Sequence, residues 1–250
     1  MRRAFTLAEV LITLAIIGVV AAMTLPTLIQ KNEEKVTSNK LKKVYSELSQ
    51  AWLMVYKDYG EPTNWGISPA VRDEAGNVLN SEDMAVLGNL FAKHLNVVKN
   101  CGTGSGCWAS DITYFLNGQP YSSLFQPNVR KDMTKLRLED GTSLGFGNVN
   151  SGCTGRRGMT KALSSICGWV VVDINGDKRP NTYGVDIFEF NISKYGVIPY
   201  GLPEDTAFPF ENACTKTGSG NGCTAWVIYN GNMDYLHCDG LSWNGNRKCK

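Results

Sequence analysis

The sequence predicts an α+β fold, in which one long N-terminal helix, transmembrane in its front half, packs on an antiparallel β-sheet ahead of a disulfide-tied C-terminal region. Three observations carry this prediction. An almost uncharged apolar run opens the chain, a helical apolar stripe continues it, and Asn-Gly and Asp-Gly turns, short apolar strands and eight cysteines occupy the remainder. At 250 residues the chain can bury a sizeable core, and 43% hydrophobic with 19% charged residues is ordinary for a folded protein. The net charge of +2 gives no electrostatic case for nucleic acid.

Between Phe5 and Ile29 the only charged residue is Glu9. As a helix this stretch rises roughly 37 Å at 1.5 Å per residue, enough to cross a bilayer. Arg2 and Arg3 precede it, which by the positive-inside rule keeps the N-terminus cytoplasmic and sends the remainder outward. Two export signals compete for the same segment: a secretory signal peptide cut after Ala22, and a twin-arginine signal opening at Arg2-Arg3. Glu9 within the apolar stretch argues against the first, and the lack of a longer polar lead-in against the second.

The stretch "AFTLAEVLITLAIIGVVAAMTLPTLI" resembles the N-terminus of type IV prepilins and type II secretion pseudopilins. The resemblance implies a leader over residues 1–4, cleavage between Ala4 and Phe5 by a prepilin peptidase, and N-methylation of Phe5. Relatives more often carry Gly before the cut, where this chain has Ala4. It also implies an assembly role for Glu9, Gly18 and Pro26, and a pilin-like layout: transmembrane and assembly helix over 5–29, amphipathic continuation over 30–60, and a globular head over 61–250. The implied protein is a single-pass inner-membrane precursor with a periplasmic or extracellular head. It is a subunit of a pilus or secretion pseudopilus, and not an enzyme. Its partners would be membrane lipid, copies of itself or other pilin-like subunits, the peptidase, and an assembly platform with its ATPase. A reading from another class is a membrane-anchored, disulfide-rich, adhesin-like binding module that never polymerises.

Physical chemistry gives the glutamate a reason. A carboxylate costs about 2.5–3.5 kcal/mol at the centre of a membrane helix and less near an end, so it needs a partner. Cleavage before Phe5 creates an α-amino group, and in a staggered bundle that amine on one subunit can neutralise Glu9 of the next, selecting register as well as stability. Gly18-x-x-x-Ala22 adds a small-residue face for close helix approach. Pro26 removes one backbone donor and marks either a kink or the membrane edge.

Beyond Ile29, Val36, Leu41, Val44, Tyr45, Leu48, Trp52, Val55 and Tyr59 recur at helical spacing, with Gly60 and Pro62 as the stop. Ser81 is the expected cap of a second helix with Met84, Leu87, Leu90, Phe91 and Leu95 as its apolar face, and His94 lies beside that face. "DITYFLNGQPYSSLF" and "KLRLEDGTSLGF" read as hairpins. "GWVVVDI", "GVDIFEFNI" and "KYGVIPYG" read as strands, giving a sheet of five or six. "GCTAWVIYNGNMDYL" is read as a short helix.

Cys101, Cys107, Cys153, Cys167, Cys214, Cys223, Cys238 and Cys249 favour disulfides in an oxidising compartment over a zinc site, since CxxC spacing is missing and the histidines are only His94 and His237. Eight cysteines allow 105 connectivities; the sequential one is expected because each close pair brackets a turn-rich stretch.

For chemistry, Asp173, Asn175 and Asp177 alternate as D-x-N-x-D, and with Asp186 they form a candidate set of oxygen ligands for calcium. The match to an EF-hand loop is partial, and a turn-rich loop between strands explains the same residues. The sequence carries no GxSxG, HExxH or Cys–His arrangement, and neither "GTGSG" nor "GSGNG" continues as a phosphate-binding loop. Trp226, Tyr229, Tyr235 and Trp243 are read as a ligand surface or, by default, as core.

Overall fold

A computed structural model describes residues 6–122 and 126–249. The first helix, α1, runs Leu7–Tyr59 without a break through Pro26 and ends at Gly60, whose N–H donates to the Tyr56 carbonyl. Its two halves live in different surroundings. Up to Val36 the side chains are mostly exposed. From Ser38 onward Leu41, Val44, Leu48, Ala51, Trp52 and Val55 are buried at three- and four-residue intervals, which puts them on one face of the helix. Val36, expected in the stripe, is 56% exposed, whereas Glu34 and Ser38 on either side of it meet the head.

Six strands form one antiparallel meander in chain order: β1 Val97–Gly102, β2 Met133–Leu138, β3 Ser143–Asn148, β4 Ile166–Asp173, β5 Ile187–Ser193 and β6 Gly196–Pro199. The β2–β3 hairpin closes at Asp140-Gly141, with Gly141 at φ 83°, a conformation that glycine adopts without penalty. Alternation assigns the two faces. Leu136, Leu144, Phe146, Val170, Val172, Phe188, Phe190 and Ile192 join the cluster that holds α1, whereas Met133, Val171 and Ile187 join a second cluster with Trp108 and Tyr183.

The helix face of the sheet is shared. α1 lies over β5 and β6: Tyr45 stacks on Phe190 with centroids 5.7 Å apart, and Trp52 Nε1 donates to the Ser193 carbonyl at 3.1 Å. A shorter helix, α2 Val86–Ala92, covers β2 and β3. It follows a 3₁₀ turn over Asp83–Ala85 and has no Ser81 cap; instead Asn80 braces this entry, its amide donating to Asp83 and to the Pro69 carbonyl. Nearby, His94 Nε2 lies 3.2 Å from Asp58 Oδ2 without hydrogen-bond alignment.

The last segment carries α3 Phe210–Ala213 and α4 Thr224–Asn230, the latter packed beside α1. Trp226, Tyr235 and Trp243 are core residues here, with Trp226 stacked 3.9 Å from Phe210 and all three polar tips hydrogen-bonded. Tyr229 alone of that set is exposed, at 55%.

Four disulfides pair the cysteines in chain order: 101–107, 153–167, 214–223 and 238–249. Buried Lys135 clips the first of these loops to the sheet, its ammonium donating to the carbonyls of Thr103 and Gly104 at 2.9 Å each. The Asn117-Gly118 turn forms, and among the described residues it is closed by one bridge between Tyr114 and Pro120, with Phe115 donating to the Gln119 carbonyl and Tyr121 to that of Thr113.

Two outcomes are expected. A Cβ on Gly88 would lie 2.5 Å from Thr134 Cβ, so Gly88→Ala should destabilise the head by about 1–3 kcal/mol despite the better helix propensity, read as a lowered thermal midpoint. Burial alone would raise the Asp140 carboxyl, but hydrogen bonds from Lys43 (2.8 Å) and Thr142 outweigh it and bring the pKa down to about 2. Since the folded value is depressed, that stability is present above the ordinary carboxylate range and lost as pH falls from about 4 toward 2. The pair is partly exposed and screened by solvent, so Asp140→Asn should remove no more than about 1 kcal/mol, measured by denaturant titration at pH 7 and pH 2.5.

Candidate functional site: the N-terminal helix and the acidic loop

Thr6 is the N-cap of α1, in extended backbone conformation, and Glu9 is its third helical residue. The Thr6 hydroxyl accepts from the Glu9 N–H at 3.3 Å, and Glu9 Oε2 accepts from the Thr6 N–H and hydroxyl at 2.8 Å each. This reciprocal capping box satisfies donors that a helix start otherwise leaves orphaned. The sequence reading missed it, although Thr-x-x-Glu before an apolar run is its signature. Ala4 and Phe5 lie outside the described residues.

Among the described residues, the front half of the helix beyond this cap packs against nothing. Leu11, Ile12, Leu14, Ile16, Ile17, Val19, Val20, Met23 and Leu25 are all more than half exposed, and a Cβ built on Gly18 would meet nothing within 4 Å. A surface of that size, wholly apolar, costs free energy in water and none in lipid or against other helices. By length and composition the segment is sufficient to cross a membrane.

The acidic loop brings together three of its four predicted members. Asp173 Oδ1 accepts from the backbone N–H groups of Asn175 (3.1 Å) and Gly176 (2.8 Å). Asp186 accepts from Asn175 Nδ2 and from the N–H groups of Asn181 and Thr182. Asp177 leaves the set: its side chain is 71% exposed and pairs with Arg137, a partner forty residues away that no local pattern announces. These three protein donors on Asp186 brace the loop as a turn, and among the described residues no three His, Cys, Asp or Glu side chains are grouped to hold a metal ion. Asp173 Oδ2, Asn175 Oδ1 and both polar atoms of Asn181 remain buried without partners. Burial, then the neighbouring Asp186, pushes the Asp173 carboxyl well above the usual carboxylate range.

Comparison with protein families gives two matches. Residues 1–25 match a prokaryotic N-terminal methylation motif, and residues 27–119 match a family of unknown function (DUF6613). The second covers the rear of α1, α2, β1 and the first disulfide loop. No curated protein and no solved structure matches the chain. Glu9 and its cap thus lie inside a segment of the prepilin cleavage and methylation type, at the front of the one described helix that is long and apolar enough to cross a membrane.

Proposed function

We propose that the chain is a structural subunit of a type IV pilus or a type II secretion-type pseudopilus, cut between Ala4 and Phe5, N-methylated on Phe5, and polymerised through α1. The observation that supports this most directly is the unpartnered front half of α1. A helix whose apolar surface is exposed all round, rigidly continuous with a helix that anchors the head, is built to exchange lipid for other helices without rearranging the head. Gly18 provides the open face at which another backbone can approach closely.

In this reading Glu9 works twice. Before assembly its carboxylate is held by Thr6 at the helix start; in the filament it turns to the methylated amine of a neighbouring Phe5, exchanging neutral donors for a charged one. The partners are further pilin-like subunits, the prepilin peptidase, and the assembly platform with its ATPase. Four disulfides fit a head carried outside the cytoplasm.

Intact mass and N-terminal sequencing of the membrane-bound protein should return an N-methylated Phe5, and an N-terminus after Ala22 would overturn the reading. Glu9→Leu should leave membrane insertion unchanged and reduce recovery in sheared filaments or cross-linked pseudopili at least tenfold. Wild-type recovery of that variant would sink the Glu9–amine pairing.

A further inference from the structure

The sheet face turned away from α1 carries a cavity of about 320 Å³ over β4 and β5. Alternation places Trp169 and Glu189 on this face, the same one as Val171 and Ile187. Its volume is at the lower end of ligand pockets, roughly 300–1,000 Å³, which suits one ring and not a chain.

Two guanidinium groups are fixed in the wall by aromatic rings. Arg157 lies 5.2 Å from the Tyr200 ring centroid and 5.1 Å from that of Phe208, and donates from Nη2 to the Tyr200 hydroxyl at 3.2 Å. Arg130 lies 4.7 Å over Trp169 and grips Asp132 with two hydrogen bonds, at 2.8 and 2.9 Å. Opposite them Glu189 is held by the amide of buried Asn221 at 2.7 Å. Glu189 feels the charge of Arg157 and Arg130, yet forms no ion pair with Arg157 among the described residues. A donor fork and an acceptor thus face one another across a space that the protein leaves open.

The lining selects by chemistry. Of the lining charges, Arg130 is already gripped by Asp132 from outside the cavity, and Arg157 is offset by Glu189 within it, so the lining gives no strong preference for a charged ligand of either sign. Guanidinium groups already stand over the rings of Trp169, Tyr200 and Phe208, which disfavours a cationic ligand further. An apolar ligand would desolvate the remaining hydrogen-bonding capacity of Arg157 and Glu189 without replacing it. What remains is an uncharged molecule rich in hydroxyls with one apolar face. Its hydroxyls can accept from Arg157 and Asn221 and donate to Glu189 while its C–H face rests on the half-buried rings of Phe115 and Tyr121. We infer that this cavity binds a single neutral sugar ring, free or as the terminal unit of a glycan. The site lies on the opposite side of the sheet from α1.

The test uses the full chain in a phosphocholine detergent, which carries no sugar. Saturation-transfer NMR and calorimetry would be run with the methyl glycosides of glucose, galactose, mannose and N-acetylglucosamine, and with glucuronate and glycine as charged comparators. At least one neutral glycoside should show saturation transfer and saturable heat. Arg157→Lys, which keeps charge but loses the planar fork, and Glu189→Gln should each weaken it at least tenfold with an unchanged thermal midpoint. Tyr229→Phe, on a different surface, should leave it unaltered. Binding of glucuronate or glycine in preference to every neutral sugar, no binding of any probe, or neutral-sugar binding that survives both cavity variants would overturn the proposal. Should Glu189→Gln fail to fold, Arg157→Lys alone decides it.

Discussion

The seam between the rear half of α1 and the sheet is the contact on which the rest of the head depends. It is largely apolar, running from Leu41 to Val55 on the helix and across Phe188, Phe190 and Ile192 on β5, with Trp52 adding one directional bond to the Ser193 carbonyl. Both α2 and α4 pack against α1 as well as against strands, so removing the helix would open three apolar surfaces at once. That is why a helix built for a membrane can also be the central element of a water-exposed head. Its sequence changes character over a few residues around Ser38 while its backbone does not change at all.

Because the strands alternate, the same sheet supports a second, different surface. The helix face is largely apolar, with Thr134 and Asn148 bonded to the turn before α2, whereas the other face mixes Met133, Val171 and Ile187 with Lys135, Arg137 and Glu189. Loops cover that face in place of helices, and each is held by chemistry stronger than packing: a disulfide, the Lys135 ammonium on two carbonyls, or Arg130 on Asp132. Irregular backbone over a sheet has few ladder bonds to satisfy it, so such fastenings are needed to hold a cavity open at constant shape.

Much of this was legible where one physical signal dominated. The apolar run, the helical stripe and Asp140-Gly141 specify α1 and the β2–β3 hairpin because each is a strictly local pattern. β1 was not predicted: "VVKNCG" does not alternate, it is an edge strand, and two irregularities interrupt its register with β2. The second helix is shorter than its apolar face implied, since a 3₁₀ turn takes up Asp83–Ala85 and Leu95 falls beyond its end. In the acidic loop the spacing suited a ring of ligands, but Arg137 on a neighbouring hairpin captured Asp177. The cavity was illegible altogether, for it joins Phe115, Arg130, Arg157, Trp169, Glu189 and Asn221, which only the tertiary fold brings together.

The attachments of α1 to the head also have a mechanical meaning. They begin with Glu34 on His237 and continue through Lys40, Lys43 and Trp52 to Val55, a span of about 32 Å along the helix axis at 1.5 Å per residue. Tension applied to the N-terminal end therefore loads these contacts side by side, in shear, and not one after another as in peeling. The load passes into strands and into a tail closed by the 238–249 bridge, so a pull on the anchor is shared across the whole head before any single contact has to carry it.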